Sequence, residues 1–375
     1  MNIYTARREK LSAFLAQENV SLLMFEDTEG RRDASIRHLT GQPSDALLFL
    51  TPENVCLLAP WDVNMADKLA HADEIVPYND FGTNPVKALA GAVTRFGLDT
   101  SAGKPRVEVP PSTPHPLFLQ YAEALPNCEI VCRSQGLHSR ETALRSIKDE
   151  HEVRIYRQLA ELTNGMIAAL EENVRDRLLK TETDVALFIE AEARKQGCEG
   201  VSFETLAAGA ERSFGIHAFP AYTNAPFAGK GLSILDFGLK YQGYASDVTM
   251  TFARDTSPQQ EALLTLTETA YHLALSLVKD GTKARDVAMA VDELFAGAGR
   301  TMPHGLGHGV GLEVHEEPRL SSREDNQWVL KTGMIFTIEP GLYDPLLGGC
   351  RLENDVLLGA DGPEVLTKSH IVRLS

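Results

Sequence analysis

In the segment LSILDFGLKYQGYASDVTMTF, Asp236 closes one apolar run and Asp247 opens the next, eleven positions on, with a glycine-bearing reversal between them. Two hairpin-connected strands would set these carboxylates side by side. An ionised acid placed where an apolar residue is expected costs several kcal/mol to bury, roughly what a cation or an ion pair must offset. Taken alone, the two also fit a turn aspartate and a capping aspartate. A second cluster, MPHGLGHGVGLEVHEEP, carries His304, His308 and His315 among Gly305, Gly307, Gly309 and Gly311, with Glu313, Glu316 and Glu317 beside them. Such glycines let backbone approach closely, and imidazole can ligate a metal or reach a substrate oxygen. Their strict alternation is not the G-x-G-x-x-G dinucleotide fingerprint. One histidine here would usually be structural, but three within so short a stretch mark a site. Two further acids sit in apolar runs: Glu339 ends the strand of MIFTIEPGLY, before a Pro-Gly turn, and Glu353 lies inside CRLENDVLL.

Four carboxylates and one imidazole, from Asp236, Asp247, His308, Glu339 and Glu353, make a hard, oxygen-rich donor set. It suits a pair of Mn, Co, Fe or Zn ions better than one tetrahedral zinc. Two divalent cations would nearly neutralise a pocket that otherwise repels itself.

The elements that must position these residues fall into two textures. Up to about residue 135, short apolar runs (VSLLMF, DALLFL, NVCLLAP, RVEVP, CEIVCR) alternate with helical patterns over 5–19, 62–70, 85–96 and 115–125. That alternation predicts an α/β sandwich, and no chemical motif stands in it. From about 140, SRETALRSIKDEHEVRIYRQLAELTNGMIAAL reads as one long amphipathic helix, followed by a second over 183–196 capped by Thr183 or Asp184 and stopped by Gly197. LSILDFG, DVTMTF, MIFTIEP and CRLENDVLL then read as strands, with helices over 258–279 and 284–297 between them, an α+β pattern.

At 375 residues the chain has room for two domains. Its 43% hydrophobic and 23% charged residues are those of a globular protein, and no apolar stretch approaches the roughly 20 residues needed to cross a bilayer. The formal charge of -16, with no basic run, argues against nucleic acid and anionic membranes as partners. The N-terminal stretch lacks the apolar core of a signal peptide, so a cytoplasmic location is expected. The five cysteines are odd in number, scattered and free of C-x-x-C spacing, which fits a reducing compartment. Cys128 and Cys132 are expected as core residues on one strand face.

Taken together, these segments resemble the M24-type metallopeptidases, the family of Xaa-Pro dipeptidase (prolidase), aminopeptidase P and methionine aminopeptidase, over about residues 140–375. HGLGHGVGLEVHEEP is similar to the proline-peptidase form of the family's histidine motif, and LRSIKDEHEVRIYRQLAEL resembles the helix that opens its catalytic domain. The first 135 residues resemble the smaller creatinase-type domain. The resemblance implies an α/β creatinase-type domain over 1–138, a pita-bread catalytic domain of α+β class over 139–375, two divalent metal ions, and a homodimer. It further implies that Asp236 chelates one metal, that His308 and Glu339 hold the other, and that Asp247 and Glu353 bridge both.

By the same resemblance His315, seven residues after the metal histidine, contacts the scissile carbonyl, and His304 lines the proline side of the pocket. Arg351 partners the ligands, and His217 in SFGIHAFPAY matches a substrate-facing histidine, although AAGAERSFGIH departs from the family's usual Ser-Gly-Pro-Asn text. The implied reaction is attack of a metal-bridged hydroxide on the bond before proline, in a dipeptide or short peptide, with Glu339 as proton acceptor. A creatinase-like enzyme and a non-catalytic binding module on this fold would both be expected to lack the metal ligands. A lyase of a small sulfonium acid would add an acidic ligand two residues after the first aspartate, where this chain has Gly238.

Overall fold

A computed structural model describes residues 2–98 and 103–375, and the chain divides into two compact units, Met1–Arg145 and Ser146–Ser375. The first is built on a sheet whose strands run in the order Glu74–Ile75, Cys56–Pro60, Ala46–Leu50, Leu22–Asp27, Arg106–Glu108, Glu129–Val131. The three longest pair antiparallel, and parallel strands flank them. ALLFL and CLLAP are buried at every position, as strands covered on both faces must be. Period-two alternation then sends Leu22, Met24, Leu47 and Phe49 into one core with Leu89, Val93 and Tyr121, and Leu23, Phe25, Leu48 and Leu50 into the other with Leu11, Leu15 and Leu39. This is the expected α/β sandwich. Cys128 is buried, but Cys132 is exposed: the strand ends at Val131, before it can turn the second thiol inward.

The predicted long helix is two helices, Leu137–Arg145 and Glu150–Arg175. Asp149 interrupts it, adopting extended backbone and capping the second helix while Glu152 bonds back to the Asp149 amide. The next helix, Glu182–Lys195, starts earlier than the sequence suggested. Its cap is Thr181, and Asp184 supplies the reciprocal bond, not the cap itself.

Two larger sheets, with a three-stranded and a two-stranded sheet beside them, carry the rest of the second unit. One has the order Ile371–Leu374, Val248–Arg254, Gly231–Phe237, Leu206–Ala208; the other has Glu316–Leu320, Gly307–Gly309, Ile335–Ile338, Asn354–Gly359, Gly362–Val365. The helices Pro258–Leu277 and Ala284–Gly297 bury Leu264, Tyr271, Val287 and Phe295 in one core with Phe336, Ile338, Val356 and Leu358. CRLENDVLL is not one strand. It splits into Gly348–Arg351 and Asn354–Gly359, leaving Glu353 at the break, where it bridges to Thr249 of the other sheet. That bridge is the seam on which the acids meet.

Candidate metal centre

The hairpin of Gly231–Phe237 and Val248–Arg254 pairs Asp236 with Thr249, so Asp236 and the flanking Asp247 reach the same end of the sheet. In the other sheet Ile338 pairs with Asn354, which leaves Glu339 and Glu353 opposite each other one step beyond the ladder. Gly309 pairs with Phe336 and brings His308 alongside. The glycines are required here: a Cβ on Gly307 would land on the Thr337 carbonyl and one on Gly309 on the Glu317 carbonyl. Backbone this close is what lets an imidazole and two acids from three strands share one space.

The five residues converge in overlapping trios. Donor atoms of Asp236, Asp247 and Glu353 lie within 4.8 Å of one another, as do those of His308, Glu339 and Glu353, so Glu353 belongs to both. His308 Nε2 stands 3.4 Å from Glu339 Oε1 and 3.6 Å from Asp247 Oδ2. Its Nδ1 lies 3.1 Å from the Gly309 carbonyl; donation there leaves the Nε2 lone pair facing the acids. Burial, with the neighbouring His315, pushes the His308 pKa down to about 3, so the ring is neutral and fit to ligate.

The acids carry the opposite strain. Burial and the charges of Glu353, Asp236 and Glu339 hold the Asp247 carboxyl well above its usual range. Burial, Glu339 and Asp236 do the same to Glu353. Burial lifts Glu339 to about 7, against the pull of Arg351. Among the described residues, none hydrogen-bonds the buried Asp236 Oδ1. Self-repelling acids, an orphaned carboxylate oxygen and a neutral imidazole aimed among them fit divalent cations.

Arg351 is the main protein counter-charge. Its Nη2 donates to Asp236 Oδ2 at 2.5 Å, its Nε to Thr249 Oγ1 at 2.8 Å, and its Nη1 to the Tyr343 hydroxyl at 2.7 Å and the Ile216 carbonyl at 3.2 Å. Thr249 Oγ1 in turn donates to Glu353 Oε2 at 2.7 Å. Arg351 therefore meets Asp236 directly and Glu353 through a hydroxyl. Sequence reading passed over Thr249, although it stands two positions from Asp247 on the same strand face. It also passed over Tyr343, whose hydroxyl lies 3.0 Å from His304 Nε2, and Asp355, whose Oδ2 accepts from the Asp247 amide at 3.3 Å. No periodicity marks those two.

A cavity of about 720 Å³ opens over the cluster and includes His217, His304 and His315 in its wall. The His315 ring centroid is 4.3 Å from that of His308, and its donor atom is within 4.8 Å of those of Asp247 and His308. Burial and Arg351 bring the His304 pKa down to about 4. Phe203, Leu206, Ile216 and Phe219 supply apolar wall, and Arg319 supplies positive charge; Arg323 also lines the cavity, with its guanidinium paired to Asp325. No side chain fits at Gly238, since a Cβ there would strike the Ser246 carbonyl and Ser202 Oγ. The additional acid of the lyase reading has no room.

The model of metallopeptidase family M24 matches residues 154–360. The chain is 36% identical over 231 residues to a putative dipeptidase, YkvY, of Bacillus subtilis, covering 60% of this chain and 61% of that protein. It is 33% identical over 230 residues to a Xaa-Pro dipeptidase of Pyrococcus horikoshii, covering 60% and 64%. The chain thus spans under two thirds of the length of these two relatives. The structure superposes on an X-Pro aminopeptidase from Thermotoga maritima with a TM-score of 0.84 and 25% identity, over 98% of this chain and 99% of that one. The architecture is the pita-bread fold preceded by a smaller α/β domain. With more than half of its residues inside the family model, and with the motifs that define it placed around one cavity, the chain belongs to metallopeptidase family M24.

Proposed function

We propose that this protein is a peptidase that uses two divalent metal ions to hydrolyse the bond between a residue and a following proline, with free Xaa-Pro dipeptides as its preferred substrates. The observation that carries the reading is the pair of donor trios sharing Glu353 at the floor of a substrate-sized cavity. Asp236, Asp247 and Glu353 would hold one ion, and His308, Glu339 and Glu353 the other, with Asp247 close enough to His308 to share both. When bound, the ions would supply Lewis acidity and acidify the attacking water toward neutral pH.

The residues around the ions do the rest. Glu339 takes the proton from the water that adds to the carbonyl carbon, then gives it to the proline nitrogen as the C–N bond breaks. The accepting carbonyl oxygen lies toward His315 and His217. Because an Xaa-Pro bond has no N–H, the leaving side must be held by shape and charge, which the apolar wall, His304 and the cation Arg319 can provide. That cation favours a substrate that ends in a free carboxylate beside the proline. The names of the two relatives, a putative dipeptidase and a Xaa-Pro dipeptidase, support the same reading.

The test is hydrolysis of Ala-Pro, Ala-Pro-amide and Ala-Pro-Ala by chelator-treated protein reloaded with manganese or cobalt. Rapid cleavage of Ala-Pro alone, dependent on added ion, is the expected result. Preference for the tripeptide would make it an aminopeptidase, and cleavage without ion would overturn the metal reading.

A further inference from the structure

His217 lines the cavity from an exposed position, and among the described residues none hydrogen-bonds its imidazole. Its place is therefore set by the backbone that carries it, the segment 209–223. That segment begins and ends on one side chain. Glu182, in the first turn of the helix Glu182–Lys195, is wholly buried. Its Oε1 accepts from the Gly209 amide at 2.7 Å, and its Oε2 accepts from the Thr223 amide at 2.7 Å and the Thr223 hydroxyl at 2.6 Å. Arg212, inside the segment, completes the clamp: Nη1 donates to Glu182 Oε2 and Nη2 to the Pro220 carbonyl. Gly209 has no room for a Cβ, which would meet the Pro226 carbonyl. A buried, charge-assisted knot thus joins both ends of the loop, with His217 at its middle.

We infer that Glu182 and Arg212 are a positioning pair that holds the 209–223 loop, and with it His217, over the metal centre. The inference rests on the reading of His217 as a substrate-contacting residue. A carboxylate used only to cap its helix would need no guanidinium and no bonds to residues so far along the chain. Here Thr181 already caps that helix, so the Glu182 carboxylate is left to the loop. Neither member touches substrate; each acts through the backbone it fixes. Loss of the clamp should let His217 drift by the order of an ångström, enough to cost on the order of 100-fold in rate.

The experiment is a double-mutant cycle of Glu182→Gln with His217→Ala in the metal-loaded protein, assayed on Ala-Pro, with hydrogen exchange measured on the same samples. The expected result is that each single variant loses a similar factor in kcat/KM and the double variant loses little more. Divalent-ion affinity should be unchanged, and faster exchange should be confined to 209–223. Multiplicative losses, a Glu182→Gln variant with full activity, or faster exchange spread equally into Gly231–Phe237 would overturn the inference. Arg212→Met, which leaves the buried acid its amide and hydroxyl donors, serves where Glu182→Gln does not fold; Arg212→Lys should recover only part of the loss. A wild-type protein without activity on Ala-Pro would count against the proposed substrate, while the exchange measurement still decides the clamp.

Discussion

Both units bury carboxylates, and those of the first are treated in the opposite way to those of the candidate metal centre in the second. In the first unit Glu141 is wholly buried against His38 Nδ1 at 3.0 Å, the Ser35 hydroxyl at 2.7 Å and the Arg145 guanidinium at 3.9 Å. Glu108 is likewise buried against Arg133, at 2.7 Å, and the Leu137 amide. Each acid there has its own cation or donors and the charge closes locally. At the candidate metal centre Asp236, Asp247, Glu339 and Glu353 crowd together with Arg351 as the guanidinium among them, and burial drives Asp247, Glu339 and Glu353 toward their neutral forms. A buried acid with a matched partner holds a fold together. Buried acids in excess of their partners hold a place for a cation.

The largest expected break comes from Glu339→Gln, which keeps shape and a donor oxygen but removes the proton acceptor. It should fold, still bind divalent ions and lose roughly 100- to 10,000-fold in kcat on Ala-Pro; a kcat near that of the wild type would take Glu339 out of the proton-transfer role. Glu141→Ala tests the other side of the comparison. It removes the buried acid that His38, Ser35 and Arg145 share and should cost roughly 3–5 kcal/mol in urea unfolding while ion affinity, read by calorimetric titration, stays put.

Arg351→Lys keeps a positive charge but loses the fork that spans Asp236, Thr249 and Tyr343. Manganese affinity should fall roughly 10- to 100-fold. Unchanged affinity would show that Asp236 is held without the guanidinium.

The smallest effect concerns pH in the metal-free chain. The folded pKa of Glu339 is raised from 4.5 to about 7, so the folded state keeps a proton that the unfolded chain has released. Stability is therefore full below about 4.5 and falls as pH climbs through about 7, by a few degrees in Tm, and manganese should abolish the fall. A metal-free Tm that rises across this window would contradict the excess-charge picture.

The centre was legible because its residues violate the patterns around them. Acids in apolar strands and histidines among alternating glycines are local anomalies that composition and periodicity expose. Helix breaks were less legible. Asp149 fits the amphipathic pattern as well as it caps, so the pattern predicts one helix where two exist, and it offers Thr183 or Asp184 as the next cap where Thr181 holds that place. The apolar run predicts Glu353 inside a strand, whereas it stands at a break where it bridges across to Thr249 of the other sheet.

What the amino-acid sequence determined by itself was the donor chemistry, the alternation of elements and the motifs of the family, all carried by neighbours along the chain. Tertiary structure supplied the geometry behind what the family resemblance only implied, that Glu353 is common to both donor trios, and it alone decided that Arg351 spends its guanidinium on Asp236 and Tyr343 and that Glu182 reaches a loop far along the chain. These depend on strand register and on how two sheets meet, where a slip of one residue would turn every acid to the other face.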